Sequence, residues 1–243
     1  MPEHVSAAAV TAGLFGKLPA KRDFVAVNVP AAVLRPLETW LQTGIAASRQ
    51  SMGAAWQAAF LQAPLWRFWL GQRICGLAVM GAMMPSMDGV GRYFPLVLLA
   101  MAPPGRSFPT PIAAMQDGPL AAAEDFLLAT LEGDTPYEAL LERMQALPLP
   151  VDEPASDPAR WMEASGRLVA SVAADAEGLA AALATVRTAR TATTLEESSF
   201  WWTLGGEGLP PQAFACPGFP DHATFGLFLT GQAADTTARG DEQ

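Results

Sequence analysis

The chain reads as an α/β protein, a layered α-β-α sandwich on a mixed, largely antiparallel central sheet. Three observations predict this. Residues 65–101 run strand, strand, loop, strand, with connections short enough to make neighbouring strands antiparallel. Residues 30–51 carry apolar side chains at helical spacing. A buried-strand pattern, FWWTL, returns at 200–204 after a long helical stretch. Sheet signals in both halves, with helices between, favour one layered domain over 12–233. Residues 1–11 and 234–243 are expected to be flexible termini, and 103–119 is the alternative internal boundary.

The elements follow in order. Residues 12–18 form a strand that ends at Pro19. Lys21, Arg22 and Asp23 make a polar turn, and Phe24 and Val25 return to apolar character. In helix 30–51, Val33, Leu34, Leu37, Trp40, Leu41 and Ile45 line one side. Pro36 falls in its first turns, where proline is best tolerated. A second helical piece spans 53–62 and stops at Pro64. Residues 65–70, 74–84 and 96–101 are strands, with a thirteen-residue loop at 84–96. The five prolines of 103–119 form a connector. Helices are expected at 120–131, 135–147 and 177–186, an exposed loop at 148–158 and a strand at 168–172. A last helix is expected over 220–230, with Asp221 near its start.

Composition narrows the function. The 243 residues are 51% hydrophobic and 16% charged, enough apolar content for a sizeable core. Charge is uneven: residues 1–110 carry nine Lys/Arg and four Asp/Glu, residues 111–243 six and twenty, for a total of −9. Nucleic acid needs clustered cations on one face, so it is not the expected partner. Two cysteines, Cys75 and Cys216, make no disulfide framework. No apolar run is long enough to span a bilayer, so a cytoplasmic protein without membrane insertion is expected.

Catalytic patterns are weak. The two histidines, His4 and His222, lie far apart, and no CxxC, HExxH or acidic calcium loop occurs, so no metal or cofactor is expected. Ser86 lies in MPSMD, not in the GxSxG of a nucleophile elbow. Cys216 has no basic neighbour in sequence to activate it. The glycines at 205, 206 and 208 fit a turn better than a phosphate cradle.

The informative stretch is MPSMDGVGRYFPL at 84–96. Its prolines restrict their predecessors, and its glycines reach conformations that other residues avoid. Asp88 and Arg92 are its only charges. Arg92 either pins the loop through Asp88, Asp23 or backbone carbonyls, or meets an anionic group on a partner. Adjacent Trp201 and Trp202 face opposite sides of a strand, so one is core; the other packs under a helix or anchors a partner.

With GKLPAKRDF at 16–24, APLWRF at 63–68 and FWWTLG at 200–205, this stretch resembles the TagF/ImpM family of type VI secretion accessory proteins. The resemblance covers residues 13–231. Asp23, Asp88, Gly91 and Arg92 match the family pattern; Ala20 and Arg22 depart from its usual Ser and Gly. It implies a layered α/β fold and a non-enzymatic, cytoplasmic, post-translational repressor of type VI secretion. The implied partner is a forkhead-associated (Fha) scaffold protein, with a functional link to a threonine kinase/phosphatase pair. It offers no catalytic residues. The candidate partner-binding or motif-scaffold residues are Gly16, Lys17, Lys21, Arg22, Asp23, Ser86, Asp88, Gly91, Arg92, Tyr93, Trp201 and Trp202. If the first and third blocks meet, Lys17, Lys21, Arg22 and Arg92 would make a patch suited to an acidic partner. Two rivals remain: a small-molecule or nucleotide sensor, and a hydrolase using Ser86.

Overall fold

A computed structural model of the chain describes residues 9–111, 113–132, 135–154, 162–164, 167–169, 194–206, 209–222 and 224–231. Its strands are β1 (Thr11–Lys17), β2 (Phe24–Val27), β3 (Trp66–Leu70), β4 (Val79–Met84), β5 (Leu96–Met101), β6 (Arg106–Ser107), β7 (Glu153–Pro154), β8 (Met162–Ala164), β9 (Arg167–Val169), β10 (Ser198–Thr203) and β11 (Gln212–Pro217). Its helices are α1 (Ala31–Met52), α2 (Trp56–Gln62), α3 (Gln72–Cys75), α4 (Asp117–Ala129), α5 (Tyr137–Gln145) and α6 (Phe225–Thr230). Seven strands form one sheet in the order β11-β10-β3-β4-β5-β1-β2, and every pairing is antiparallel. The pairs β6–β7 and β8–β9 stand apart from it.

Both faces of this sheet are covered, which makes the α-β-α layering. Cross-strand register puts Phe214, Trp201, Phe68, Gly81, Leu99 and Gly13 in one row, so their side chains share a face. That face packs on α1, α2 and α6 through Leu37, Trp40, Phe60, Phe225 and Phe228. The next row, Trp202, Arg67, Ala82, Leu98 and Leu14, faces the other way. There α4 and α5 bring Leu120, Phe126, Leu127, Leu140 and Met144. Burial on both faces explains why β3, β4 and β5 are buried at every position. Each large side chain fully buried this way contributes roughly 2 kcal/mol.

Local details differ from the sequence expectation where polar or glycine chemistry intervenes. The expected strand at 74–84 begins only at Val79. Before it, α3 makes one turn from Gly71 and stops at Gly76, whose φ is +78°. The last helix starts at Phe225 rather than Pro220, because Asp221 accepts from both the backbone N–H and the hydroxyl of Thr224 and holds a turn there. β2 and β11 form the sheet's two edges although no strand was expected at either. The exposed loop at 148–158 contains β7 and the buried Pro150. The strand expected at 168–172 is described only as β9. The helix at 177–186 and the termini beyond residues 9 and 231 lie outside the described residues. No helix among the described residues is long and apolar enough to cross a membrane.

The tryptophans tie the layers together by hydrogen bonds as well as area. Trp40 donates to the Pro220 carbonyl (2.8 Å), Trp66 to Phe228 (3.0 Å) and Trp69 to Phe108 (3.2 Å). Trp201 donates to Ser199 Oγ at 2.8 Å, whereas the buried Trp202 indole N–H has no acceptor among the described residues. Both Trp201 and Trp202 are therefore core, one on each face. Losing ring volume costs both sites, but Trp201→Phe also breaks a buried hydrogen bond, while Trp202→Phe removes an orphan donor. Urea denaturation followed by circular dichroism should show Trp201→Phe as the more destabilising by about 1–2 kcal/mol.

Candidate functional site

The first and third sequence blocks meet at one end of β1. Gly16 is what lets them approach. Its φ is +129°, and a Cβ there would sit 2.0 Å from the Pro95 carbonyl oxygen, so the strand passes the loop only without a side chain. After β1 the chain turns at Lys21, whose N–H donates to Leu18 O at 2.9 Å. The Lys21 carbonyl then accepts from the Gly89 N–H at 2.8 Å, which joins the two loops backbone to backbone.

The loop between β4 and β5 is a tight hairpin within a longer connection. Met87 bridges to Tyr93, Phe94 N–H donates to Ser86 O at 3.0 Å, and Gly91 N–H closes on Asp88 O at 2.9 Å. Gly91 has φ +83°, the left-handed residue this kind of turn needs. Asp88 organises it. One carboxylate oxygen accepts from the N–H groups of Val90 (3.1 Å) and Arg92 (2.9 Å). The other accepts from Arg92 Nε at 2.7 Å and from the Lys17 ammonium. Arg92 also donates to the Arg22 carbonyl, so one guanidinium braces both loops.

The electrostatics follow from this geometry. The Asp88 side chain is fully buried. Burial alone would raise its pKa; the Lys17 ammonium, then the amide and guanidinium of Arg92, outweigh burial and hold the carboxyl well below the ordinary range. Lys17 is itself buried, with its Nζ 4.4 Å from the centre of the Phe24 ring. This removes Lys17 from the cationic patch expected from sequence: it is the inner half of an ion pair. The side chain of Arg92 is 59% exposed even while paired. Lys21 is half-buried with its ammonium 3.9 Å from the Tyr137 ring centre, and Arg22 and Asp23 are exposed.

The remaining candidates divide cleanly. Tyr93 anchors the loop to α2 by accepting from Gln57 Nε2 at 2.7 Å and by ring-edge contacts to Trp56 and Phe60. Ser86 is buried and its hydroxyl has no partner among the described residues. Trp201 and Trp202 belong to the core near the far edge of the sheet and are not brought to this site. Burial pushes the Cys75 thiol up to about 12 and raises Cys216 as well. Among the described residues no three of His, Cys, Asp and Glu converge as a metal ion would need.

Sequence reasoning missed a second polar centre, Arg67. It lies in β3 on the α4 face, where its guanidinium pairs with Glu124 (2.7 and 2.8 Å) and Asp117 (2.9 Å). The alternation of Trp66, Phe68 and Leu70 with Arg67 and Trp69 was the available signal. Glu124 is largely buried and Asp117 largely exposed, so this is a brace between sheet and α4.

A sequence model of the TagF N-terminal domain, described as type VI secretion system-associated, matches residues 13–147. That span holds β1 from Gly13 on, β2 to β6, α1 to α5 and both loops of the site. The chain belongs to this family. Its fold is similar to the crystal structure of PA0076 from Pseudomonas aeruginosa PAO1, at 31% identity and a TM-score of 0.73, covering 96% of this chain and 100% of that one. No curated protein matches it. The protein is thus a type VI secretion-associated α/β protein, and its stretches at 16–24 and 84–96, both inside the matched span, build the ion-pair clasp.

The clasp has a pH signature. Because the folded-state pKa of Asp88 is depressed, the stability it gives is fully present above the ordinary carboxylate range and is lost as pH falls below about 4. Asp88→Asn should lower the melting temperature by about 10 °C at neutral pH, by leaving Lys17 buried without its counter-charge. The gap to the parent protein should narrow in acid. A gap that stayed constant across an acid titration of melting temperatures would refute the depressed carboxyl.

Proposed function

We propose that this protein is a non-enzymatic, cytoplasmic regulator that represses type VI secretion after translation by binding the system's Fha scaffold. It would act beside a threonine kinase/phosphatase pair. The observation that carries the reading is the clasp itself. Three charged groups of the two blocks, Lys17, Asp88 and Arg92, engage one another and the backbone. A motif whose ionisable groups are saturated in this way suits a rigid protein-facing surface better than a reactive centre, which needs a group poised to change state. Membership of a type VI secretion-associated family supplies the context.

One observation favours a second reading, a small-molecule-sensing domain. A small apolar cleft lies between Phe60, Pro64, Met83, Pro85, Pro95 and Phe228, beside the ends of the 84–96 loop. Its lining is apolar and lacks the cations a nucleotide needs.

The regulator reading predicts that the purified protein and the Fha scaffold of the same cells co-elute as a complex in size-exclusion chromatography. It also predicts that overproduction silences secretion without changing transcript levels. Failure to form the complex, with secretion unaffected, would reject the reading. Melting-temperature stabilisation by a hydrophobic small molecule, with no scaffold binding, would favour the second.

A further inference from the structure

The clasp sits beside an unprotected sheet edge. β2, with the sequence FVAV, is the outermost strand on its side of the sheet and carries no charge. Its outward backbone groups have no backbone partner among the described residues. Edge strands of this kind pair readily with another extended chain unless charge, proline or a covering element blocks them. Here Phe24 and Ala26 are exposed along the strand.

Phe24 is a prepared contact. It is 46% exposed, yet its ring is fixed from behind by Phe15 (6.1 Å between centres), by the edge of Phe94 (4.9 Å) and by the Lys17 ammonium. A half-exposed aromatic already held in one rotamer loses little entropy on binding, which is the anatomy of an interface anchor. Val90, 56% exposed at the hairpin tip, adds a second apolar contact next to the Lys21–Gly89 hydrogen bond.

Charge sets the partner's chemistry. Residues 16–24 and 84–93 together carry four cations and two carboxylates, a net +2 on a chain of −9. Arg22 is exposed with no side-chain partner among the described residues, and Arg92 presents its outer face to solvent. Both lie at the Phe24 end of β2. We infer that an extended, Asp/Glu-rich segment of a protein partner adds to β2 as an eighth strand. It would place acidic side chains against Arg22 and Arg92 and an apolar one on Phe24. Backbone pairing gives affinity along the edge, and the cations select the acidic end and speed encounter.

This inference rests on the regulator reading, so the test uses the full chain and the Fha scaffold. Arg22→Glu changes an exposed turn and leaves the Arg22 carbonyl that Arg92 needs; its melting temperature should match the parent's. It should weaken scaffold binding by roughly tenfold and flatten the loss of affinity with added salt. Ala26→p-benzoylphenylalanine should photo-crosslink to an Asp/Glu-rich segment of the scaffold. The same residue at Ala213, on the opposite sheet edge, should not. Scaffold binding that Arg22→Glu leaves unchanged, with crosslinks from Ala213 and none from Ala26, would overturn this surface while the regulator reading stands. No binding by the parent protein would overturn the reading and this surface with it.

Discussion

One buried carboxylate, Asp88, holds the motif region together. It takes four donors, two backbone amides of its own hairpin and the cationic groups of Lys17 and Arg92. Lys17 is the last residue of β1 and Arg92 reaches the carbonyl of Arg22 beyond that strand, so the carboxylate links two segments some seventy residues apart. A charge buried in this way is tolerable only when its partners are in place. The approach of β1 to Pro95, which needs a glycine at 16, is the steric condition for that placement. The two segments are therefore joined through a closed set of donors and acceptors around one oxygen pair.

The sheet that carries the clasp is stable for a different reason. Its central strands bury both faces, each against its own layer of helices. The α1 side gathers Trp40, Trp56, Phe60, Trp66, Phe68 and Trp201. The α4 side packs Trp69, Trp202, Phe108 and Phe126 among the small Ala82, Ala100 and Ala123, and among the described residues it admits one cation, Arg67, neutralised by α4 itself. Arg67 and Lys17 follow the same rule: a cation enters the core only where a carboxylate on another element meets it.

Much of this architecture is legible in the sequence, and the misses have physical causes. Strands buried on both faces read as apolar runs, and α1 reads through Leu37, Trp40, Leu41 and Ile45. The edge strands do not read. β2 has four residues, too short for a period, and β11 ends in Pro217, which an edge strand tolerates but which argues against a strand from sequence. α3 hid inside an apolar stretch because its C-cap glycine looks like any small residue of a strand. At the site, the sequence located the two loops and offered bracing by Asp88 as one role for Arg92. It misplaced Lys17, since a lysine beside a polar turn reads as solvated. Only the register that pairs Lys17 with Phe24, beneath the hairpin, shows that its ammonium points inward.

That reversal changes what the motif can mean. With Lys17 and Asp88 exposed, the block would be a charged patch whose strength depends on each side chain separately. With both buried, they position other groups: the Phe24 ring packed against Lys17, and the Arg92 guanidinium that spans to the Arg22 carbonyl. A partner would then meet the outer layer, Arg22, Phe24, Val90 and the edge of β2, while Lys17 and Asp88 lie one layer beneath it. Such an arrangement separates two constraints. The inner ion pair must keep its identity for the loops to close, whereas the side chains of Arg22, Phe24 and Val90 make none of the hydrogen bonds that close them. Arg22, exposed at the turn before β2, is one such outer residue.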